Sequence, residues 1–283
     1  GKKYALGNLF LIDDTADSDA TNDGTHKSNA VSKIKTAANP AITGAQLAKA
    51  KDYVTSGGTI DAIKTKYYLS ADQLKARFNL NSCYLLNDWE AIAYSLPSLK
   101  NQDLKILKKG DYVALDQGPK IIFGPGTGLG AALFSKNNDY EYVNATEIGN
   151  TQSSVKYYLD IFGIKQNGDF TILEDVLSGS GLTKLYNHLH DECITAEEIF
   201  RRLNEDHDSR SLDLVNNYIK CFAILSSELA LTYNCTGGVF LAGAMIRSMN
   251  DYFKVEHFSS HFLGKRKTIH RNFLENIPVF LTL

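Results

Sequence analysis

Four glycines fall within seven residues at Gly124-Pro125-Gly126-Thr127-Gly128-Leu129-Gly130, and this segment limits the chain more than any other. Without Cβ atoms, the backbone there can turn sharply and bring its N–H groups close to an anion. The flanks narrow the choice. Lys120-Ile121-Ile122-Phe123 reads as an apolar strand entering the loop, and 131–134 reads as a second strand, ended by Asn137-Asn138. A Walker A loop would close with Gly-Lys-Ser/Thr, and none follows. A dinucleotide loop fits Gly126, Gly128 and Ala131, with Glu147 about 20 residues further on, but it requires a helix after the loop. The remaining readings are a strand–turn–strand phosphate hairpin and a glycine turn that binds nothing.

Around this loop the chain reads as α/β. Leu214, Tyr218, Phe222, Leu225 and Leu229 recur at helical spacing, predicting a long helix over 213–233. Residues 239–242 form a buried strand closed by Gly243, 250–262 a helix, and 279–283 a terminal strand. Strands alternating with helices imply a largely parallel or mixed sheet with helices packed on it. Before residue 80 the pattern is weaker. Residues 13–60 are rich in Asp, Asn, Ser, Thr, Ala and Lys, with 13–25 reading as a loop. Residues 46–53 allow one helix, Ser70-Ala71-Asp72-Gln73 starts another, and 83–86 is a short strand. The division expected is a small α/β lobe over 1–98 and a larger one over 99–283.

The 283 residues suffice for a sizeable core, and a net charge of −2 without any dominant basic run gives no nucleic-acid footprint. No apolar run approaches the ~18–20 residues of a membrane span. The short basic start at Gly1-Lys2-Lys3 is interrupted by Asp13 and Asp14 before it resembles a signal peptide. Cys83, Cys193, Cys221 and Cys235 are scattered and read as free thiols of a reducing compartment, so the cytoplasm is the expected location. His188-x-His190 has no companion ligands and reads as a helix face, and Lys265-Arg266-Lys267 as an exposed turn.

Three carboxylates attract attention. Asp88, in Asn87-Asp88-Trp89-Glu90-Ala91, stands just beyond an apolar strand at the start of a helix. Ligands of open α/β sheets bind beyond the carboxyl ends of strands, although a helix cap explains an Asp there equally well. Glu147 precedes Gly149, and Glu174 precedes Ser178-Gly179-Ser180-Gly181. An ionised carboxylate accepts several hydrogen bonds and so suits sugar hydroxyls, or simply solvates a surface.

In this order the motifs resemble the bacterial-type glucokinases. Asn87-Asp88-Trp89-Glu90-Ala91 is similar to that family's Asn-Asp-Phe-x-Ala segment, and 124–130 to its second phosphate loop. Glu147-Ile148-Gly149-Asn150 stands where the family has Glu-Gly-Gly-His. Glu174-Asp175-Val176-Leu177-Ser178-Gly179-Ser180-Gly181-Leu182 resembles its Glu-x-Val-Leu-Ser-Gly-x-Gly-Leu run. Gly237-Gly238-Val239-Phe240-Leu241-Ala242-Gly243 resembles its adenosine motif, and Asn276-Ile277-Pro278-Val279 its late strand.

The resemblance covers roughly residues 70–283 and implies a two-lobed actin-like ATPase (ribonuclease H-like) fold, with mixed sheets and flanking helices. It implies ATP-dependent phosphorylation of the 6-hydroxyl of glucose, with Asp88 as general base. Asn87, Asp88, Glu147, Asn150 and Glu174 would hold the sugar. Gly124, Gly126, Thr127, Gly128 and Gly130 would hold phosphate, and Ser178, Gly179 and Gly243 would border the nucleotide. Mg2+ would bridge the phosphates, and a homodimer is compatible with the family. Three features depart from the pattern. Tyr4-Ala5-Leu6-Gly7-Asn8 stands where the family has an Asp-x-Gly-Gly-Thr phosphate turn, Asn150 replaces a histidine, and Leu283 ends the sequence ahead of the family's final glycine-rich segment and helix. The alternative expectation is therefore a catalytically impaired, sugar-binding or regulatory protein on the same fold.

Overall fold

A computed structural model describes residues 86–110, 118–137 and 140–283. The readings made at 4–8, 13–60, 70–78 and 83–85 lie outside the described residues.

The first helix among the described residues, α1 (Asp88–Tyr94), has a local cause. Asn87 is extended, and its Oδ1 accepts from Trp89 N at 2.8 Å and Glu90 N at 3.2 Å. Glu90 answers by accepting from Asn87 N at 2.9 Å, which completes a capping box. The cap is thus Asn87 rather than Asp88. After β1 (Leu104–Lys108) come β2 (Lys120–Pro125) and β3 (Leu129–Asn137). These two pair antiparallel from Lys120↔Phe134 to Pro125↔Leu129, so the glycine segment is a hairpin. A strand follows the loop, where a dinucleotide loop needs a helix. That reading is therefore excluded, because the apolar run after Gly128 pairs with β2 instead of coiling.

Strand β4 (Tyr140–Thr146) pairs antiparallel with β3 at one edge. The chain then runs through α2 (Val155–Phe162), α3 (Gly179–His190), α4 (Ala196–Asn204) and α5 (Ser209–Thr232). Strand β5 (Val239–Leu241) returns parallel to β2. Helices α6 (Ala244–Ser248), α7 (Val255–Leu263) and α8 (Thr268–Asn276) lead to β6 (Val279–Thr282), parallel to β5 and antiparallel to β1. The mixed sheet has the order β1-β6-β5-β2-β3-β4.

Two sequence boundaries move. The long helix starts at Ser209, because Asp208 accepts from Ser211 N at 2.9 Å and Ser211 Oγ at 2.7 Å. The helix read over 250–262 is broken: a 3-10 turn, Asn250–Tyr252, precedes α7, and extended Phe253 turns its ring into the core against Phe258. Arg266, read as part of an exposed turn, instead pairs with Glu228 and donates to Ser227 Oγ at 3.1 Å.

Side chains alternate across the sheet, as pleating requires. Ile121, Phe123, Val239, Leu241, Val279 and Leu281 face the main core beneath α2–α5 and α7. Ile122, Phe240 and Phe280 face a smaller cluster with Ala93 and Leu96. Residues 87–98, read as the end of the first lobe, therefore pack on this sheet. Seven consecutive residues of α5, 221–227, are buried. Its buried serines satisfy themselves: Ser226 Oγ donates to Phe222 O at 2.7 Å and Ser227 Oγ to Ile224 O at 2.8 Å. Cys221 and Cys235 are buried free thiols, and burial pushes Cys235 up to about 12. No helix among the described residues is long and apolar enough to cross a membrane.

Candidate active site

The turn of the β2–β3 hairpin is three residues, 126–128, closed by Gly126 N donating to Gly128 O at 2.8 Å. Its glycines serve different ends. A Cβ on Gly126 would meet nothing within 4 Å, so its backbone faces open space in which an anion could approach. A Cβ on Gly130 would lie 1.7 Å from Trp89 Nε1, and one on Gly124 would lie 1.8 Å from Ala242 O and 3.3 Å from the Trp89 ring. Gly130 makes room for the indole that docks α1 onto the hairpin, and Gly124 for the Ala242 carbonyl, with the indole beside it. Trp89 thus packs across the two strands of the hairpin.

Docking through Trp89 fixes its neighbours Asn87 and Asp88 beside the hairpin, both exposed. Asp88 Oδ1 accepts from Trp89 N at 2.8 Å. Asn87 spends its Oδ1 on the cap, which leaves the amide nitrogen as its group for a ligand.

Glu174 reaches the hairpin from the other side. Its Oε2 accepts from Leu129 N at 3.4 Å, and Cβ atoms on Gly128 and Gly149 would lie 2.6 and 2.9 Å from it. Gly149 belongs to the 3-10 turn Ile148–Asn150, so Glu174 joins the 147–150 turn to the glycine loop. Leu173 N donates to Thr151 O at 2.8 Å and fastens the same junction. Glu147 and Asn150 flank this turn and are exposed.

The Ser178 segment is a helix start rather than a free turn. Ser178 caps α3 by accepting from Gly181 N at 3.0 Å. Gly179 N donates to Gly126 O at 2.9 Å and Ser180 Oγ to Thr127 O at 3.3 Å, so this helix start touches the hairpin turn. Gly243 adopts φ +113°, a region that suits glycine, and a Cβ there would lie 2.9 Å from Pro125 O. Beside Glu174, Asp175 is held below its usual carboxylate range. Burial opposes this, but the bonds from Lys184 at 2.9 Å and from Thr171 N and Ile172 N outweigh it. Among the described residues no three His, Cys, Asp or Glu side chains form a metal cage. His188 and His190 lie against Phe170 and Tyr186 instead.

The family model for Glucokinase matches residues 18–283. The chain belongs to the glucokinase family. The Campylobacter jejuni subsp. doylei glucokinase is 30% identical over 257 residues, which is 87% of this chain and 75% of that protein. The Colwellia psychrerythraea glucokinase is 29% identical over 237 residues, 79% of this chain and 71% of that one. Among solved structures, glucokinase from an Antarctic psychrotroph has a TM-score of 0.65 at 23% identity, covering 78% of this chain and 70% of that chain. Leishmania braziliensis glucokinase has a TM-score of 0.59 at 21% identity, covering 72% and 61%. These neighbours share the fold of this chain, a mixed sheet with flanking helices. A glucokinase-family chain of this fold is a sugar kinase.

Two features escaped sequence reasoning. The Trp89–glycine contact joins residues some 40 positions apart. Tyr218 was visible only as one more member of an apolar stripe, although a tyrosine there signals a hydroxyl that needs a partner.

Proposed function

We propose that this chain transfers the γ-phosphoryl group of ATP to the 6-hydroxyl of glucose, with Asp88 as general base. The observation that carries the reading is the division of labour at α1: Asn87 caps the helix and Asp88 commits its Oδ1 to Trp89 N, which leaves Oδ2 of this exposed carboxylate for chemistry. Asp88 takes the proton of the attacking hydroxyl, a bond forms from that oxygen to the γ-phosphorus, and the bond to the bridging oxygen breaks to release ADP. Positioning and charge stabilisation carry most of such a transfer. Asn87 Nδ2, Glu147, Asn150 and Glu174 orient the sugar hydroxyls. The open backbone at Gly126, with Thr127 and Gly128, receives phosphate oxygens, while Gly124 and Gly130 keep the turn against Trp89. Ser178, Gly179 and Gly243 border the nucleotide. Mg2+ usually keeps waters and substrate phosphates as ligands, so the lack of a protein cage among the described residues fits it. When bound, it offsets phosphate charge.

The test is a coupled assay of glucose-dependent ADP formation with Asp88→Asn beside wild type. The variant is expected to lose about 10²–10⁴-fold in kcat while keeping its Tm and glucose affinity. Equal turnover removes Asp88 from the role of base. Glucose binding without ATP binding in calorimetry favours a regulatory sugar-binding protein instead.

A further inference from the structure

Two tyrosines of the main core, Tyr158 and Tyr218, are fully buried, and their hydroxyls differ. That of Tyr158 has no partner among the described residues. That of Tyr218, in the middle of α5, lies 2.6 Å from both Val176 O and Ser178 O. A phenol has one proton, so the two carbonyls share it; Ser178 O also accepts from Leu182 N at 2.9 Å, so loss of the hydroxyl falls chiefly on Val176 O, in a buried place. The ring is fixed by edge-on contact with Phe222 at 5.3 Å and by Phe162 at 6.2 Å. Burial pushes the phenol well above its usual range, which favours the protonated hydroxyl that donates here.

The segment pinned this way is the one that meets the hairpin at both ends. Glu174 contacts Leu129 N, and Gly179 and Ser180 contact Gly126 and Thr127. Ser178 Oγ donates to Glu174 O at 2.6 Å and ties the two ends together. We infer that Tyr218 is a positioning residue: its hydroxyl holds residues 174–180 against the glycine hairpin and so couples the carboxylate on the sugar side to the backbone on the nucleotide side. This rests on the sugar-kinase reading above.

The test compares Tyr218→Phe with Tyr158→Phe, each losing one buried hydroxyl. At 25 °C, Tyr218→Phe is expected to lower kcat/KM for both ATP and glucose about 3- to 10-fold, the scale of one net hydrogen bond. Calorimetry of the same variant is expected to show weaker mutual enhancement between glucose and a non-hydrolysable ATP analogue. Tyr158→Phe is expected to leave all of these unchanged. A Tyr218→Phe protein with lowered Tm but wild-type kcat and both KM values overturns the inference, because that is the behaviour of a purely structural bond. If that variant does not fold, hydrogen exchange on the wild type decides. Amides 176–181 slowed by glucose alone and by the analogue alone support the inference, and slowing by neither or by only one overturns it. A wild-type chain with no sugar-dependent turnover and no binding of either ligand overturns the kinase reading and this inference together. Turnover unaffected by Tyr218→Phe overturns only the latter.

Discussion

The sheet has a thick face and a thin one. On the first, alternate residues of β2, β5 and β6 lie under most of the helices, with α5 buried on all sides along 221–227. On the second, Ile122, Phe240 and Phe280 are covered by Ala93 and Leu96, from the seven-residue α1 and the turn after it. A helix that short has no stability of its own in water. Its place depends on the capping box and on the indole seated against Gly130 and Gly124. Among the described residues the thick face therefore supplies most of the core, while the thin face carries Asp88, exposed and held in place by the seating of Trp89 beside it.

The comparison breaks most visibly through the core. Phe222→Ala removes a ring that touches Phe123 and Tyr218 and is expected to cost about 3–5 kcal/mol in urea unfolding. Gly130→Ala on the thin face is expected to cost about 1–3 kcal/mol by overpacking, but with the larger loss of kcat, because the indole displaced is the one that seats Asp88. Adding Trp89→Leu should recover the stability lost in Gly130→Ala. It should not do so in Gly124→Ala, where the clash at 1.8 Å is with Ala242 O. Equal recovery in both would mean that the indole, and not the Ala242 carbonyl, is what a side chain at position 124 meets first.

The same two faces mark what was legible in the sequence. The hairpin could be read because its signal is local: a short continuous apolar run on each side of a glycine-rich turn. The candidate carboxylates could be picked out because Asp88, Glu147 and Glu174 each stand beside a turn or strand end. The start of α5 was read four residues late, since Ser209-Arg210-Ser211-Leu212 carries no apolar stripe and the cap Asp208 was overlooked. The break at Phe253 could not be read, because an inward-turned phenylalanine has the same period as a helical one. Tertiary contacts were hidden altogether. Nothing near Gly130 in the chain announces an indole, and nothing near Tyr218 announces the carbonyls 40 and 42 residues before it.

Smaller effects sharpen the contrast. Asn87→Ala should cost about 1 kcal/mol through the lost cap. Asn87→Asp should restore that stability, since a carboxylate caps equally well, yet not the sugar KM, since the Nδ2 donor is gone. A variant that restores both would leave Asn87 with the cap alone.

The last test concerns the rim of the thick face. Lys108 is 4% exposed, and its Nζ donates to Lys109 O, Glu275 O and Ile277 O at 2.7–2.9 Å. Burial lowers its pKa to about 8, against the opposing charge of Glu275. In the unfolded chain the same amine titrates near 10.4. Between these values the unfolded state binds more protons than the folded one, so stability rises with pH across that window. Below about 8 both states are charged and the full burial penalty is felt; above about 10.4 neither is, and the penalty is gone. The stability of wild type minus that of Lys108→Met should therefore increase by about 1 kcal/mol from pH 7 to 9. The stranded carbonyls lower the variant at every pH and do not enter this difference in slope. Parallel pH profiles would mean that the three carbonyls hold the ammonium as well as water does.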